Sequence, residues 1–156
     1  MIQVRDARPG EHCELADLMW AVDDYDGIAT RMWERCDDDR HRLCVAEIDG
    51  ARAGFLDGTF DSDLFFVNGA EYPSPHAYLT WLYVFPRHRQ QNVGRALVSH
   101  YAARALDAGC SAMGLVTDST PDEGVRVKFF ESLGFAVCGQ RGRHMVASVD
   151  AVLAAR

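Results

Sequence analysis

The stretch from Ala77 to Thr117 constrains this chain more than any other part of it. It opens with AYLTWLYVF, a run of aromatic and β-branched side chains that favours a strand, and Pro86 closes that run. Residues 93–108 then place Val93, Leu97, Val98, Tyr101 and Leu106 at helical spacing, with Gly109 as the stop signal. AMGLVT follows as a short apolar run of the buried-strand type. Strand, helix and second strand in tight succession predict a mixed α/β sheet with helices packed on it.

The flanking segments extend the same pattern. IQVRDA alternates and reads as a first strand, closed by Pro9-Gly10; residues 11–22 carry Leu15, Leu18, Met19 and Val22 on a helical stripe. The acidic DDYD (Asp23 to Asp26) precedes a second short helix through Met32 and Trp33. RLCVAEI and ARAGFLDGTF flank Asp49-Gly50, a pair suited to a tight hairpin turn. Residues 61–75 read as a loop broken by prolines, residues 122–133 as a helix ended by Gly134, and FAVCG and HMVASV as closing strands. The predicted order is β-α-α-β-β-β-α-β-α-β-β within one domain spanning residues 1–156.

Composition narrows the function classes. Of 156 residues, 48% are hydrophobic and 25% charged, which suits a globular core and excludes a disordered chain. A net charge of −7 argues against duplex nucleic acid or an anionic membrane as the main partner. No run approaches the roughly 18 apolar residues of a membrane span. The charge is uneven, because residues 1–75 hold 7 basic and 17 acidic side chains while residues 76–156 hold 9 and 6. One half suits a cation and the other an anion. Five cysteines without a CxxC spacing point to neither a disulfide framework nor a metal site, and the N-terminus lacks an apolar leader. The expectation is a reduced, cytoplasmic protein.

The loop between Pro86 and Ala96 carries the chemistry. A loop entering a helix exposes backbone N–H groups without partners, and the helix dipole adds partial positive charge, so the junction suits a phosphate. Gly94 lets a ligand approach the backbone, Arg87, Arg89 and Arg95 add charge, and Asn92 tolerates a left-handed conformation better than most residues. Neither GxxxxGK[ST] nor GxGxxG is present, which speaks against nucleotide hydrolysis and a dinucleotide cofactor.

Leu82-Tyr83-Val84-x-Pro86-x-x-Arg89-x-x-Asn92-x-Gly94-x-Ala96 resembles the acyl-CoA-binding core of the GNAT N-acetyltransferases, whose pattern is Q/R-x-x-G-x-G/A. VKFFESLGF (Val127 to Phe135) resembles that superfamily's second signature, FYexxGF. The resemblance implies a single α/β (α+β) domain: a mixed sheet of six to seven strands, helices on both faces, and a splayed pair of parallel strands. It implies acetyl-CoA as co-substrate and direct attack of an amine on the thioester, with no acyl-enzyme and no metal. The pantetheine arm would lie on Leu82, Tyr83 and Val84. The diphosphate would sit on the amides of Arg89, Gln90, Gln91, Asn92, Val93, Gly94 and Arg95 ahead of Ala96, within reach of Arg126 and Lys128.

Several positions depart from the family. Asn92 stands where its first glycine belongs, Phe130 replaces the tyrosine that usually donates a proton to the leaving thiolate, and Glu123 and Arg126 replace Asn and Ala. Ser119 is the nearest hydroxyl to stand in as donor or water anchor. For the amine's proton, the candidates are His76 and Tyr78, which with Thr80 share one strand parity. Tyr78 falls where some members carry a glutamate base. The acceptor pocket of this architecture would draw Asp24, Tyr25, Asp26, Glu71 and Tyr72 together, and carboxylates beside aromatic rings favour a cationic amine. That amine is a small molecule or a peptide amine. The competing reading is a catalytically weak acyl-CoA-binding module acting on a protein partner, and the resemblance admits a homodimer without specifying one.

Overall fold

The computed structural model describes residues 1–22, 28–35, 38–117, 122–138 and 143–155. Strand β1 (Ile2–Asp6) leads to helices α1 (Glu11–Val22) and α2 (Ile28–Glu34), then to strands β2 (Arg42–Ile48), β3 (Ala51–Ser62) and β4 (His76–Val84). A 3-10 turn at Pro86–His88 precedes α3 (Val93–Asp107). Strand β5 (Ala112–Val116), helix α4 (Glu123–Glu131), strands β6 (Ala136–Cys138) and β7 (His144–Ser148) and helix α5 (Val149–Ala154) follow. No described helix is long and apolar enough to cross a membrane.

The strands form one seven-stranded sheet in the order β1-β2-β3-β4-β5-β7-β6. Neighbours are antiparallel except β4 and β5, which run parallel because α3 carries the chain back across the sheet between them. Their pairing is short. Ala77 faces Met113 and Tyr78 faces Gly114, and the register ends there although β4 runs on to Val84.

Each sheet face has its own core. Leu97, Val98, Tyr101 and Ala102 of α3 pack with Leu56, Leu79, Met113, Met145 and Phe130 on one side. On the other, Leu15, Ala16 and Met19 of α1 and Met32 of α2 cover Leu43, Val45, Phe55 and Tyr83. Alternate β2 residues Leu43 and Val45 meet one core and Cys44 and Ala46 the other, as period-2 geometry requires.

Three features differ from the sequence reading. First, Asp57 faces Trp81 while Gly58 faces Leu79, so Thr80 is an extra residue on β4. Such a bulge interrupts alternation. Ala77, Leu79, Leu82 and Val84 therefore pack with the α3 core, whereas Trp81, Tyr83 and Phe85 pack with the α1 core. The expected shared parity of His76, Tyr78 and Thr80 stops at this bulge. Second, the chain does not end in a strand. Ser148 caps a final helix by accepting the Ala151 N–H at 3.1 Å. Third, Cys13 is disulfide-bonded, which corrects the reading of five thiols; Cys44, Cys110 and Cys138 are free.

Candidate active site

Beyond β4 the chain turns sharply. Phe85 N–H donates to the Ala53 carbonyl at 2.9 Å, His88 N–H to Phe85 at 2.8 Å and Arg89 N–H to Pro86 at 3.3 Å. Gln90 (φ 62°) and Asn92 (φ 65°) are both left-handed, and Asn92 is the N-cap of α3 without a capping bond from its side chain. Ala96 N–H is the first to bond back, to Asn92 at 3.0 Å. The amides of Val93, Gly94 and Arg95 thus precede the helical ladder at its positive end, which is the geometry of an anion cradle.

The side chains around this cradle are largely committed to protein partners. Arg89 donates through Nε to the Val84 carbonyl at 2.9 Å and lies over the Tyr83 ring at 5.6 Å. Gln91 donates through Nε2 to the Arg87 carbonyl at 3.1 Å. Arg95 reaches the Ala155 carbonyl at 2.8 Å and Ser132 Oγ at 3.2 Å, so its guanidinium ties α3 to the chain's end rather than facing the loop. Arg126 is partly buried and Lys128 exposed, both on α4. A β-carbon on Gly94 would lie 3.2 Å from the Phe129 ring, so the glycine seats α4 against the start of α3 as well as baring the amides.

The departures on α4 have structural reasons. Phe130 is buried and meets Phe129 and Phe135 edge-on, with ring centres 5.1 Å and 5.5 Å away. It is a core ring, suited to packing and unable to donate a proton. Glu123 accepts the Thr117 hydroxyl at 2.9 Å, which pins the start of α4 to the end of β5.

On the face covered by α1 and α2, the loop after β3 closes over the short β4–β5 seam. A side chain on Gly114 would collide with Leu64 Cδ1 at 2.6 Å and Phe66 Cε2 at 2.8 Å, so only glycine lets the loop pack there. His76 holds the same loop from below. Its Nδ1 accepts the Leu64 N–H at 3.0 Å and its Nε2 donates to the Tyr72 carbonyl at 2.7 Å. With 1% of it exposed and both nitrogens engaged, His76 is a strut, which corrects its candidacy as a base. Tyr78 is half-buried; burial pushes its phenol up, so it is a poor proton acceptor. Glu71 lies exposed at the loop's far end, and its charge raises the phenol of the adjacent Tyr72. Asp24, Tyr25, Asp26 and Ser119 lie outside the described residues.

Sequence reasoning missed a buried carboxylate on this face. Asp57 of β3 has a side chain 1% exposed and stands across from Trp81. His12 Nε2 of α1 lies 3.3 Å from its Oδ1, and His41 Nδ1, just ahead of β2, lies 3.1 Å from its Oδ2. Arg35, just past α2, brings Nη1 to 3.8 Å and stacks on the Trp81 ring at 4.4 Å. Burial alone would raise the Asp57 pKa, but the two histidines outweigh it and the carboxyl sits below its usual range. The available signal was an aspartate inside the apolar run AGFLDGTF. Among the described residues, no cluster of His, Cys, Asp or Glu is arranged to hold a metal ion.

Comparison with known proteins places these features in context. The model of the acetyltransferase (GNAT) family matches residues 11–135. Aminoglycoside N(6')-acetyltransferase type 1 of Salmonella typhimurium (strain LT2) is 28% identical over 127 residues, covering 73% of this chain and 84% of its own. The N-acetyltransferase YhbS from Escherichia coli, solved in complex with CoA, superposes with a TM-score of 0.71 at 17% identity, over 97% of this chain and 84% of that one. The ribosomal-protein-S18-alanine N-acetyltransferase from Escherichia coli gives 0.69 at 17%, over 96% and 94%. Both solved structures share the fold of this chain.

Proposed function

This chain belongs to the acetyltransferase (GNAT) family, and from that premise we propose that its acceptor is a small cationic amine of the amino-sugar kind. The protein is an acetyl-CoA-dependent N-acetyltransferase acting on amines. Residues 1–156 act as one catalytic unit in this reading. The observation that carries the acceptor class is the aminoglycoside-acetylating relative, matched over 84% of its length. The acidic balance of residues 1–75 supports it, since that half supplies α1, α2 and most of the loop over the seam.

We assign the diphosphate of acetyl-CoA to the amides from Gln90 to Arg95, since that of Arg89 is held by Pro86, and its pantetheine arm to Leu82, Tyr83 and Val84. The thioester then lies along β4 where pairing with β5 has ended, and the amine meets it from the α1–α2 side. Attack forms the C–N bond and expels the thiolate as the C–S bond breaks. A thiol pKa of about 8.5 makes that leaving group tolerable without an acid, which fits a phenylalanine at position 130. Tyr78 positions a water that carries the ammonium proton away. Arg126 and Lys128 lie on the helix that flanks the coenzyme.

Free-thiol release from acetyl-CoA measures turnover. The panel would hold aminoglycosides, simple diamines, neutral amines and alanine-terminated peptides. Turnover concentrated on the polycationic amino sugars is expected. Turnover confined to peptides would overturn the acceptor class, and coenzyme binding without turnover of any amine would favour a regulatory module.

A further inference from the structure

We propose that Asp57 is the positioning residue of the acceptor wall, holding α1, α2 and the segment ahead of β2 against the sheet and, through Arg35, fixing the guanidinium-covered Trp81 ring at the base of that wall. The inference builds on the reading that the amine enters from the α1–α2 side, and it adds the residue that organises that side.

A carboxylate at the centre of an apolar strand is costly to bury unless cations or donors surround it. Asp57 has three such neighbours, and no two come from the same element. His12 sits on α1, Arg35 follows α2, and His41 precedes β2. One charge on the sheet therefore gathers α1, the end of α2 and the segment ahead of β2. Packing already joins α1 and α2 in one core, and the shared carboxylate ties the segment ahead of β2 to them.

The contact to Arg35 links this knot to the site. Its Nη1 is buried, has no hydrogen-bond partner, and lies 3.8 Å from Asp57 Oδ2. Charge rather than a directed hydrogen bond therefore holds that edge of the guanidinium, and its plane covers Trp81 at 4.4 Å. Trp81 follows the bulged Thr80 on β4 and faces Asp57 across the strand pair. Removal of the carboxylate charge frees Arg35 from its anchor and disturbs the ring beneath it. Among the described residues, the anion cradle from Arg89 to Ala96 makes no hydrogen bond or ion pair with Asp57, His12 or His41.

The geometry predicts a split between the two substrates. In Asp57→Asn, the KM for the amine should rise about tenfold as the wall around Arg35 and Trp81 loses its anchor. The KM for acetyl-CoA and the melting-point rise it produces should stay within about twofold of the parent protein. Arg35→Lys, which keeps the charge but not the stacking plane, should raise the amine KM less than Arg35→Gln. Equal rises in both KM values, or no change in the amine KM, would overturn the proposal. If Asp57→Asn does not fold, the Arg35 pair decides alone, and equal amine KM values in its two members count against it. The amine used is whichever the thiol-release panel identifies, so a peptide acceptor would sink the amino-sugar reading while leaving this split measurable.

Discussion

The Tyr101 hydroxyl on α3 stands 3.2 Å from the carbonyl of Tyr78 on β4 and 3.2 Å from that of Thr59 on β3. Tyr101 is 1% exposed, and its one O–H proton serves the two carbonyls between them. Tyr101→Phe leaves them with a hydrocarbon edge. The expected loss is about 1–2 kcal/mol, typical of an unsatisfied buried acceptor. Urea unfolding checks it, and an unchanged midpoint would show that the hydroxyl contributes nothing at the bulge.

The second prediction concerns Gly94. An added methyl 3.2 Å from Phe129 pushes α4 away from the start of α3 and narrows access to the amides beside it. Gly94→Ala should weaken acetyl-CoA binding by about tenfold, with a stability cost of about 1 kcal/mol. Calorimetric titration measures the first and thermal unfolding the second. Undiminished affinity would mean that the coenzyme does not approach this backbone.

The third lies in acid. Burial works to raise the Glu11 carboxyl, but it accepts from Arg5 Nη1 at 2.8 Å, Arg8 N–H at 2.9 Å and Arg52 Nε at 3.0 Å, and its pKa falls from 4.5 to about 2. A folded-state pKa below the unfolded one stabilises fully above about pH 4.5 and loses that contribution as the pH falls towards 2. The contribution is on the order of 3 kcal/mol. The parent protein should therefore lose stability steeply between about pH 5 and pH 2, and Glu11→Gln should start lower and fall less. Parallel curves for the two proteins would remove Glu11 from the acid response.

The backbone form of the loop from Pro86 to Ala96 was legible because its residues are local and chemically distinctive. Asn92 was expected to tolerate a left-handed conformation and does adopt one at φ 65°. Gln90 shares that conformation without any comparable sign in its side chain. The face covered by α1 and α2 was less legible, because its key relations are long-range. The bulge at Thr80 arises from how β3 and β4 register, which AYLTWLYVF alone does not encode. His76 has the chemistry of a base, yet two loop residues already occupy its nitrogens. Helix α5 is hidden because HMVASV reads as a strand, and only the cap that Ser148 gives to Ala151 marks the change to a helix.

The fourth prediction restores the family's tyrosine. Phe130→Tyr places a hydroxyl among Phe129 and Phe135 in the core. If the thiolate leaves unaided, kcat should change by less than about threefold, while stability falls by about 1 kcal/mol for the buried oxygen. Steady-state rates with the preferred amine provide the check. A gain of about a hundredfold would reveal that the parent enzyme works without an acid it needs.

The β4–β5 seam, two residue pairs long, makes the sheet two panels sharing a narrow rib rather than one continuous plate. Four strands belong to one panel and three to the other. Few backbone bonds cross the rib, and the core beneath α3 joins the two panels on one face. If the pantetheine lies as proposed, the unpaired edge of β4 would take it as a substitute strand, and cargo loading and scaffold stiffening would become the same event.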